Sequence, residues 1–276
     1  MLLHLIWLQG ESRIPSRFQS GLKSWRRFAE AMGHTVHVWD DHQIEALITE
    51  YMQSAQSIHD YLSIYRSYPI FVQRADMGRY FILEALGGMY IDIDTSIQPT
   101  NYKAFNRALL ATPDNKVGLP PVEAGLYLNM PPFDTKIRNW LIYAPQPHHP
   151  LFPDLFKGMA ARKDRKGSHF RAYYVAYSTG SVLITDHLCD ENWHRLHIHG
   201  LITNEYASTW GGIFKYDQHD LLLILGIVLF LLLMIFVGVI IYKTMARHTL
   251  DNPRSDAKFI DDQPTIPTPT LTPPRY

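Results

Sequence analysis

Residues 74–96 constrain the fold more than any other stretch, because a helix, a glycine stop and a strand follow one another without a gap. Apolar residues recur at helical spacing over 74–86. Gly87 and Gly88 then predict the end of the helix, since glycine accepts the left-handed dihedral angles of a C-terminal cap. The apolar run 89–93 predicts a short buried strand.

Two aspartates, Asp92 and Asp94, lie on that strand or just past it. Their spacing of two predicts side chains on the same face. Paired carboxylates beside apolar residues need a cation, a proton or open water, and a hard divalent metal ion meets that need. Three interpretations are open here: solvated surface acids, the nucleophile loop of a haloacid-dehalogenase-type phosphohydrolase, and the metal site of a nucleotide-sugar transferase. Thr95 comes one position early for the phosphohydrolase pattern.

The composition argues against one class of partner. The 276 residues carry 26 basic and 26 acidic side chains, and a formal net charge of zero argues against a broad nucleic-acid-binding face. A chain of this length accommodates one substantial domain or two small ones. Cys189 is the only cysteine, so the chain has no internal disulfide and no cysteine-based zinc site.

Strand and helix patterns alternate near the start of the chain. The runs 2–8 and 35–39 predict strands, and a stretch with helical spacing follows each of them. This rhythm predicts an α/β fold with a parallel sheet. Ligands of such sheets bind beyond the carboxyl ends of the strands, so Trp7 and the two aspartates would face a common crevice.

Later segments are less regular. Residues 52–69 are predicted to form a connection, and the proline-rich stretch 116–149 is predicted to form loops that end in a strand at 140–143. Residues 151–159 predict a helix.

Residues 221–242 form an uninterrupted apolar run without a charge. About 20 apolar residues suffice to cross a bilayer as a helix, so the run predicts one transmembrane segment. The basic residues that follow it favour a cytoplasmic C-terminus. Residues 1–8 lack a basic start and are interpreted as a strand rather than a signal peptide. These two signals conflict, so the side of the membrane that carries the domain is left open.

Residues 243–276 are polar and rich in proline, which predicts a disordered or extended tail. The tail ends in Pro273-Pro274-Arg275-Tyr276, a P-P-x-Y string of the kind that WW domains bind. A WW-domain partner and a chance tyrosine after a proline tract are both open. The predicted organisation is a globular domain over 1–217, a membrane helix over 221–242 and this tail.

The string RADMGRYFILEALGGMYIDID, residues 74–94, resembles the signature of glycosyltransferases with a DXD sugar-binding region. That family includes inositol phosphorylceramide mannosyltransferases, a yeast mannosyltransferase that starts mannan outer chains, and the glucosyltransferase domains of clostridial toxins. The resemblance covers residues 1–217. It implies a GT-A fold, in which a Rossmann-like nucleotide-sugar half and an acceptor half form one domain. It also implies a nucleotide-sugar donor and a divalent metal ion, Mn²⁺ or Mg²⁺.

The resemblance implies roles for five residues of this string. Asp76 and Arg79 match the pair that grips the donor sugar. Asp92 would contact the ribose or the sugar and, through water, the metal ion, whereas Asp94 would bind the metal ion directly. Arg74 matches the basic residue commonly found before that first aspartate.

Two other segments match the family. In HLIWLQG, Trp7 matches the tryptophan that stacks on the nucleotide base. In NEYASTW, the offsets match a late loop in which Glu205 joins the metal site, Ser208 touches the β-phosphate and Trp210 donates its indole N–H to the departing diphosphate. Two positions depart from the pattern: Ser181 follows Gly180 where the family often has proline, and Asn139 lies one residue out of register.

The resemblance implies retaining transfer of a hexose, with GDP-mannose as the first candidate donor and a membrane glycolipid such as inositol phosphorylceramide as acceptor. Trp210 lies close in sequence to the apolar run, which favours an acceptor embedded in the membrane. A UDP-sugar and a glycan acceptor would use the same residues. A membrane-anchored, non-catalytic adaptor on a transferase fold is the alternative of a different class. The implied location is a single-pass endomembrane protein, as in the Golgi.

Overall fold

The computed structural model describes residues 1–120, 137–164, 171–204 and 218–251. The chain divides into two compact units, Met1–Tyr216 and Asp217–Tyr276. The assignment of residues 1–217 as one catalytic domain stays a prediction.

The first unit is built around β-strands. In chain order they are β1 (Leu2–Ile6), β2 (Thr35–Trp39), β3 (Gly88–Ile91), β4 (Thr95–Ile97), β5 (Val117–Leu119), β6 (Leu141–Ala144), β7 (Trp193–Arg195) and β8 (Ile202–Asn204). Six of them form a sheet in the order β2-β1-β3-β6-β5-β7, and β4 pairs with β8 separately. β1 is parallel to both β2 and β3, whereas β6 runs antiparallel to β3 and β5. The predicted α/β fold with a parallel sheet is therefore confirmed, with an added antiparallel strand.

Helices cover both faces of this sheet. They are α1 (Ser16–Met32), α2 (Asp41–Ser54), α3 (Tyr61–Ser67), α4 (Phe71–Leu86), α5 (Tyr102–Leu110), α6 (Leu151–Arg162), α7 (Arg171–Ser178) and α8 (Ser181–Asp186). Successive strand residues alternate between two apolar cores: Met89 and Ile91 join the core under α1 and α5, and Tyr90 joins the core under α2, α3, α4, α6 and α8.

The structure corrects three predicted boundaries. The helix of the 74–86 region begins earlier, at Phe71, and ends at Gly87 as predicted. The following strand ends at Ile91 rather than at residue 93, so Asp92 and Asp94 lie just past it, which is one of the two predicted positions. The predicted connection 52–69 contains α3, whose first turn is capped because the Asp60 carboxylate accepts a 2.9 Å hydrogen bond from the Ser63 N–H. The predicted strand at 140–143 is confirmed within one residue, and the predicted helix at 151–159 is α6.

His4 of β1 forms hydrogen bonds with Trp39 of β2 and with Gly87, the residue just before β3. Its ring is fully buried, Nε2 lies 2.9 Å from the Gly87 carbonyl, and Nδ1 lies 3.1 Å from the indole N–H of Trp39. Since a carbonyl only accepts and an indole only donates, these partners require the neutral ring with its proton on Nε2. Burial lowers the pKa of His4 to about 4, and the hydrogen bond to Gly87 partly opposes this shift.

This histidine makes folding sensitive to acid. We expect a loss of about 3 kcal/mol from His4 between pH 6.5 and pH 4, because unfolded His4 takes up a proton there and folded His4 does not. Below pH 4 both states are protonated and the loss levels off. Urea unfolding of the wild type and of His4→Gln at several pH values checks this. The variant should lack the part of the slope of unfolding free energy against pH that comes from His4. Equal slopes in the two proteins would contradict the assignment.

The second unit contains α9, a helix of 34 residues over Gln218–Asp251. Within it, Leu225–Met245 is long and apolar enough to cross a membrane, judged by length and composition. This is the one candidate span among the described residues, and it agrees with the predicted segment at 221–242. The Pro273–Tyr276 motif lies outside the described residues, so a WW-domain partner stays a prediction.

Candidate active site

The carboxyl ends of three neighbouring strands bring predicted residues to one edge of the sheet. Trp7 follows β1, Asp41 follows β2 at the start of α2, and Asp92 and Asp94 follow β3. Because β1 is parallel to both of the other strands, these ends share one edge. That edge is where open α/β sheets bind ligands, and the predicted residues Trp7, Asp92 and Asp94 follow strands that end there. Their common crevice stays a prediction.

Asp92 is held in the loop after β3 from three sides. Its N–H donates to the Trp140 carbonyl at 2.8 Å, and its Oδ1 accepts a 2.6 Å hydrogen bond from the Tyr90 hydroxyl. The same oxygen lies 3.4 Å from Nη2 of Arg79. Burial raises the pKa of Asp92, while Arg79 and the Tyr90 hydroxyl oppose the rise. The side chain remains 24% exposed, which leaves a ligand access to this carboxylate.

Arg79 links the loop to α4. Its Nη2 lies 2.8 Å from Asp76 Oδ1, one turn earlier on the same helix, and its Nη1 donates to the Asn139 carbonyl. The guanidinium lies 4.4 Å from the centre of the Tyr90 ring. Burial opposes the charge, but the neighbouring tyrosine and the carboxylates of Asp76 and Asp92 raise the pKa of Arg79 overall, so the residue stays a cation.

Asp76 is surrounded by protein. Its Oδ1 also accepts from the Asn139 amide at 3.0 Å, and its Oδ2 accepts from the Thr179 hydroxyl at 3.0 Å. Burial raises the pKa of Asp76 to about 6, with Arg79 opposing the rise and Asp92 adding to it. Asp76 and Arg79 are only 1% and 3% exposed, so their predicted contact with a sugar stays a prediction.

Helix α1 braces the loop from the other face of the sheet. The indole N–H of Trp25 donates to both the Thr95 carbonyl at 3.1 Å and the Thr95 hydroxyl at 3.0 Å. That hydroxyl in turn donates to the Asp92 carbonyl at 2.6 Å. Gly21 allows this approach, since a Cβ there would lie 2.5 Å from the Thr95 carbonyl oxygen. The turn that carries the two aspartates is therefore fixed before any ligand binds.

Gly21→Ala tests the close approach. We expect the variant to lose about 1–3 kcal/mol in the free energy of unfolding, because its methyl group would push α1 away from the Thr95 carbonyl. Ser20→Ala, an exposed neighbour on the same helix, should stay within about 0.5 kcal/mol of the wild type. Urea unfolding measures both, and equal stability of Gly21→Ala and Ser20→Ala would show that the contact is looser than described.

Asp94 lies beside a small polar cleft between α1 and the loop after β3. The residue is 8% exposed, and Arg17, Ser20 and Ser96 also line the cleft. No group of three or more histidine, cysteine or acidic side chains that could hold a metal ion occurs among the described residues. Mg²⁺ usually binds through one or two carboxylates plus substrate phosphates and water, and two hard oxygen ligands on one turn fit that pattern.

Of the remaining predicted residues, Trp7 and Arg74 are described by the structure and the residues of the late loop are not. The Trp7 ring lies half-buried, 5.6 Å from the Phe18 ring, and its indole N–H has no hydrogen-bond partner. Arg74 pairs with Asp41 and lies 5.0 Å from the centre of the Tyr65 ring, so its guanidinium contacts the end of β2 rather than Asp76. The late-loop residues lie outside the described residues: Glu205, Ser208 and Trp210.

Sequence reasoning missed three residues that hold the site together. Tyr90 offered a local signal, because it lies two positions before Asp92 and so on the same side of an extended chain. Trp25 and Thr179 offered none, since their bonds join residues far apart in sequence. Asn139, placed one residue out of register by the family pattern, nevertheless reaches Asp76.

Comparison with known proteins finds a family that matches part of the chain. Residues 15–109 match the family described as glycosyltransferase sugar-binding region containing DXD motif. The matched region runs from α1 to α5 and contains the site residues of the 74–94 string: Arg74, Asp76, Arg79, Asp92 and Asp94.

Three curated relatives are similar over part of the chain. An uncharacterised glycosyltransferase of Acanthamoeba polyphaga mimivirus is 26% identical over 191 residues, which is 68% of this chain and 64% of the relative. Inositol phosphoceramide mannosyltransferase 1 of Schizosaccharomyces pombe is 24% identical over 190 residues, 68% of this chain and 50% of the relative. Initiation-specific alpha-1,6-mannosyltransferase of Candida albicans is 31% identical over 110 residues, which is 40% of this chain and 27% of the relative.

Solved structures of glycosyltransferases are also similar in part. PaToxG glycosyltransferase covers 68% of this chain and 67% of its own at 15% identity and a TM-score of 0.39. A glycosyltransferase involved in the glycosylation of the PBCV-1 major capsid covers 60% of this chain and 67% of its own, at 11% identity and a TM-score of 0.32.

The family match and the named relatives confirm the predicted resemblance to DXD glycosyltransferases and support the predicted enzyme class. Two of these relatives are named mannosyltransferases, at low identity. The chain spans about two thirds of the first relative and half of the second.

Proposed function

We propose that the chain is a metal-dependent, retaining glycosyltransferase that moves a hexose from a nucleoside diphosphate sugar to a membrane glycolipid. Mannose from GDP-mannose is the first candidate donor, and inositol phosphorylceramide is the first candidate acceptor. The loop after β3 carries the proposal, because it presents Asp92 and Asp94 at the ligand-binding edge of the sheet, within the region that matches the family. The names of two relatives support mannose, and one of them supports the acceptor.

The reaction must stabilise negative charge on the departing diphosphate as the glycosidic bond breaks. Asp92 and Asp94 would hold Mn²⁺ or Mg²⁺, which supplies Lewis-acid stabilisation of that charge when bound. Glu205 is the proposed third ligand. Hard oxygen atoms from two carboxylates suit either ion.

The chain's own residues prepare this site in advance. Arg79 lies between Asp76 and Asp92, and the Tyr90 hydroxyl holds the same Asp92 oxygen, so that carboxylate is oriented before the donor arrives. Groups fixed in this way need little reorganisation during the reaction, which lowers the barrier. In the proposed complex Trp7 stacks on the nucleotide base, a contact worth about 1–3 kcal/mol per base in nucleic-acid complexes.

The candidate membrane span in the second unit is the reason for proposing a lipid acceptor. Leu225–Met245 is a candidate membrane span, and a protein anchored in a bilayer meets lipid acceptors without extracting them. We therefore place the protein in an endomembrane such as the Golgi as a single-pass protein. Ser208 and Trp210 are proposed to contact the diphosphate.

A donor screen tests the proposal. The full chain, in membranes containing ceramide lipids, is incubated with Mn²⁺ and GDP-mannose, UDP-glucose or UDP-galactose, and the lipid products are identified by mass spectrometry. We expect a mannosylated lipid from GDP-mannose, and none when a chelator is present. Transfer from a UDP-sugar only would overturn the donor while keeping the enzyme class. If no donor is bound or cleaved, the proposed enzyme activity is overturned and the adaptor alternative is favoured.

A further inference from the structure

We propose that the junction between α7 and α8, residues 178–180, is a positioning element of the donor site that acts on Asp76 through the Thr179 hydroxyl. This inference rests on the proposed function and deepens it. The junction lies outside the region 15–109 that matches the family, so it is a contribution of the second half of the domain.

Three residues on one face of α4 hold the junction. Gln73 Nε2 donates to the Ser178 hydroxyl at 2.8 Å, and the Tyr80 hydroxyl donates to the Thr179 carbonyl at 2.9 Å. Between them, Asp76 Oδ2 accepts from the Thr179 hydroxyl at 3.0 Å. The spacing of three and then four residues places these side chains on one stripe of the helix, so the junction is fastened along two turns.

The Thr179 hydroxyl has a clear preferred acceptor. It also lies 3.3 Å from the Val175 carbonyl, but it carries a single hydrogen. A carboxylate is the stronger acceptor, and Asp76 is the nearer of the two groups. Thr179 is fully buried, so water does not compete for this bond.

Gly180 allows the junction to lie against the carboxylate. A Cβ at this position would lie 3.3 Å from Asp76 Oδ2 and 3.0 Å from the Ala176 Cα. The backbone therefore packs directly beside the oxygen that Thr179 holds. A larger residue would separate the two helices from α4 or turn the carboxylate.

The consequence reaches the loop after β3 through one chain of contacts. With Oδ2 of Asp76 held by Thr179, the other oxygen faces Arg79 at 2.8 Å. Arg79 in turn lies 3.4 Å from Asp92. The hydroxyl thus sets the rotation of the Asp76 carboxylate together with the Asn139 amide on the other oxygen, and that rotation sets where the guanidinium meets the first aspartate of the DXD motif.

Thr179→Val tests the role, because valine keeps the volume and removes the hydroxyl. In the full chain with Mn²⁺ and donor, we expect kcat/KM to fall by about 10- to 100-fold, the usual effect of removing a group that orients a ligand residue. Thr179→Ser keeps the hydroxyl and should stay within about threefold of the wild type. Thr49→Val is the matched control, since its hydroxyl donates to the Glu45 carbonyl within α2 at 2.8 Å and its loss should leave activity within about threefold.

The outcomes separate the inference from the proposed function. If the wild type transfers sugar and Thr179→Val does so equally well, the positioning role is overturned and the function stands. If the wild type uses no donor, the proposed function fails, and the contact itself is judged by thermal unfolding of Thr179→Val, Asp76→Asn and the double variant. Coupled residues should give a double variant whose Tm loss is smaller than the sum of the two single losses, and additive losses would overturn the inference.

Discussion

Asp94→Asn is expected to lower kcat/KM for sugar transfer on the order of 100- to 1,000-fold, the scale set by removing one group that stabilises developing charge. The amide keeps the shape of the side chain but removes one of two negative charges on the turn after β3. A neutral ligand holds a divalent cation less tightly, so part of the lost rate should return at high Mn²⁺ concentration. Initial rates over a range of Mn²⁺ concentrations measure both effects.

The control for this experiment is Asp190→Asn, an exposed aspartate in the loop before β7, which should keep the wild-type rate. Thermal unfolding of both variants shows whether the fold is retained. A wild-type rate for Asp94→Asn at every Mn²⁺ concentration would mean that this residue does not serve the reaction. The assignment of the DXD turn would then be wrong.

Local periodicity predicted the elements of the first 51 residues. Each of β1, α1, β2 and α2 is long enough to show its own repeat. β1 is buried along most of its length, and α1 and α2 each bury one face. Helix α3 escaped prediction because its seven residues span only two turns, too few for a helical repeat to stand out. Its cap at Asp60 was the available signal.

The half of the sheet formed by β6, β5 and β7 was predicted only in part, because only β6 was expected from the sequence. β5 and β7 have three residues each, too few to display an alternating pattern. The pairing of β3 with β6 joins Gly88 to Ala144, far along the chain. Such register depends on which apolar faces meet in three dimensions, and a single sequence does not report that.

The candidate site likewise combines residues that were predicted from the sequence with contacts that were not. Asp92 and Asp94 were found because they are neighbours in sequence, whereas Asp76 and Arg79 came from the resemblance to the family. The bonds that hold them join residues 70 positions apart, from Trp25 to Thr95, and 103 positions apart, to Thr179. Contacts over such separations carry no local pattern, so the support of the site became visible only in the structure.

The largest effect on stability is expected from Arg79→Leu. The side chain is 4% exposed, and its guanidinium is the group that faces both Asp76 and Asp92. Removing one partner of a buried ion pair leaves uncompensated charge, at a cost of about 3–5 kcal/mol. Urea unfolding at pH 8 should show this loss, together with the loss of sugar transfer.

The loss in Arg79→Leu should shrink as the pH falls. Without the cation, burial and mutual repulsion raise the folded-state pKa values of Asp76 and Asp92 further above their unfolded values. A group whose folded pKa is raised contributes stability below its unfolded pKa and loses it as the pH rises, so the deficit should be smaller at pH 5 than at pH 8.

Adding Asp76→Asn removes one of the two charges and should recover part of the deficit of Arg79→Leu at pH 8. In the wild type the same Asp76→Asn change should destabilise, because it breaks the ion pair with Arg79. A deficit of Arg79→Leu that is independent of pH and is not reduced by Asp76→Asn would mean that lost packing, rather than unpaired charge, sets the stability of this site.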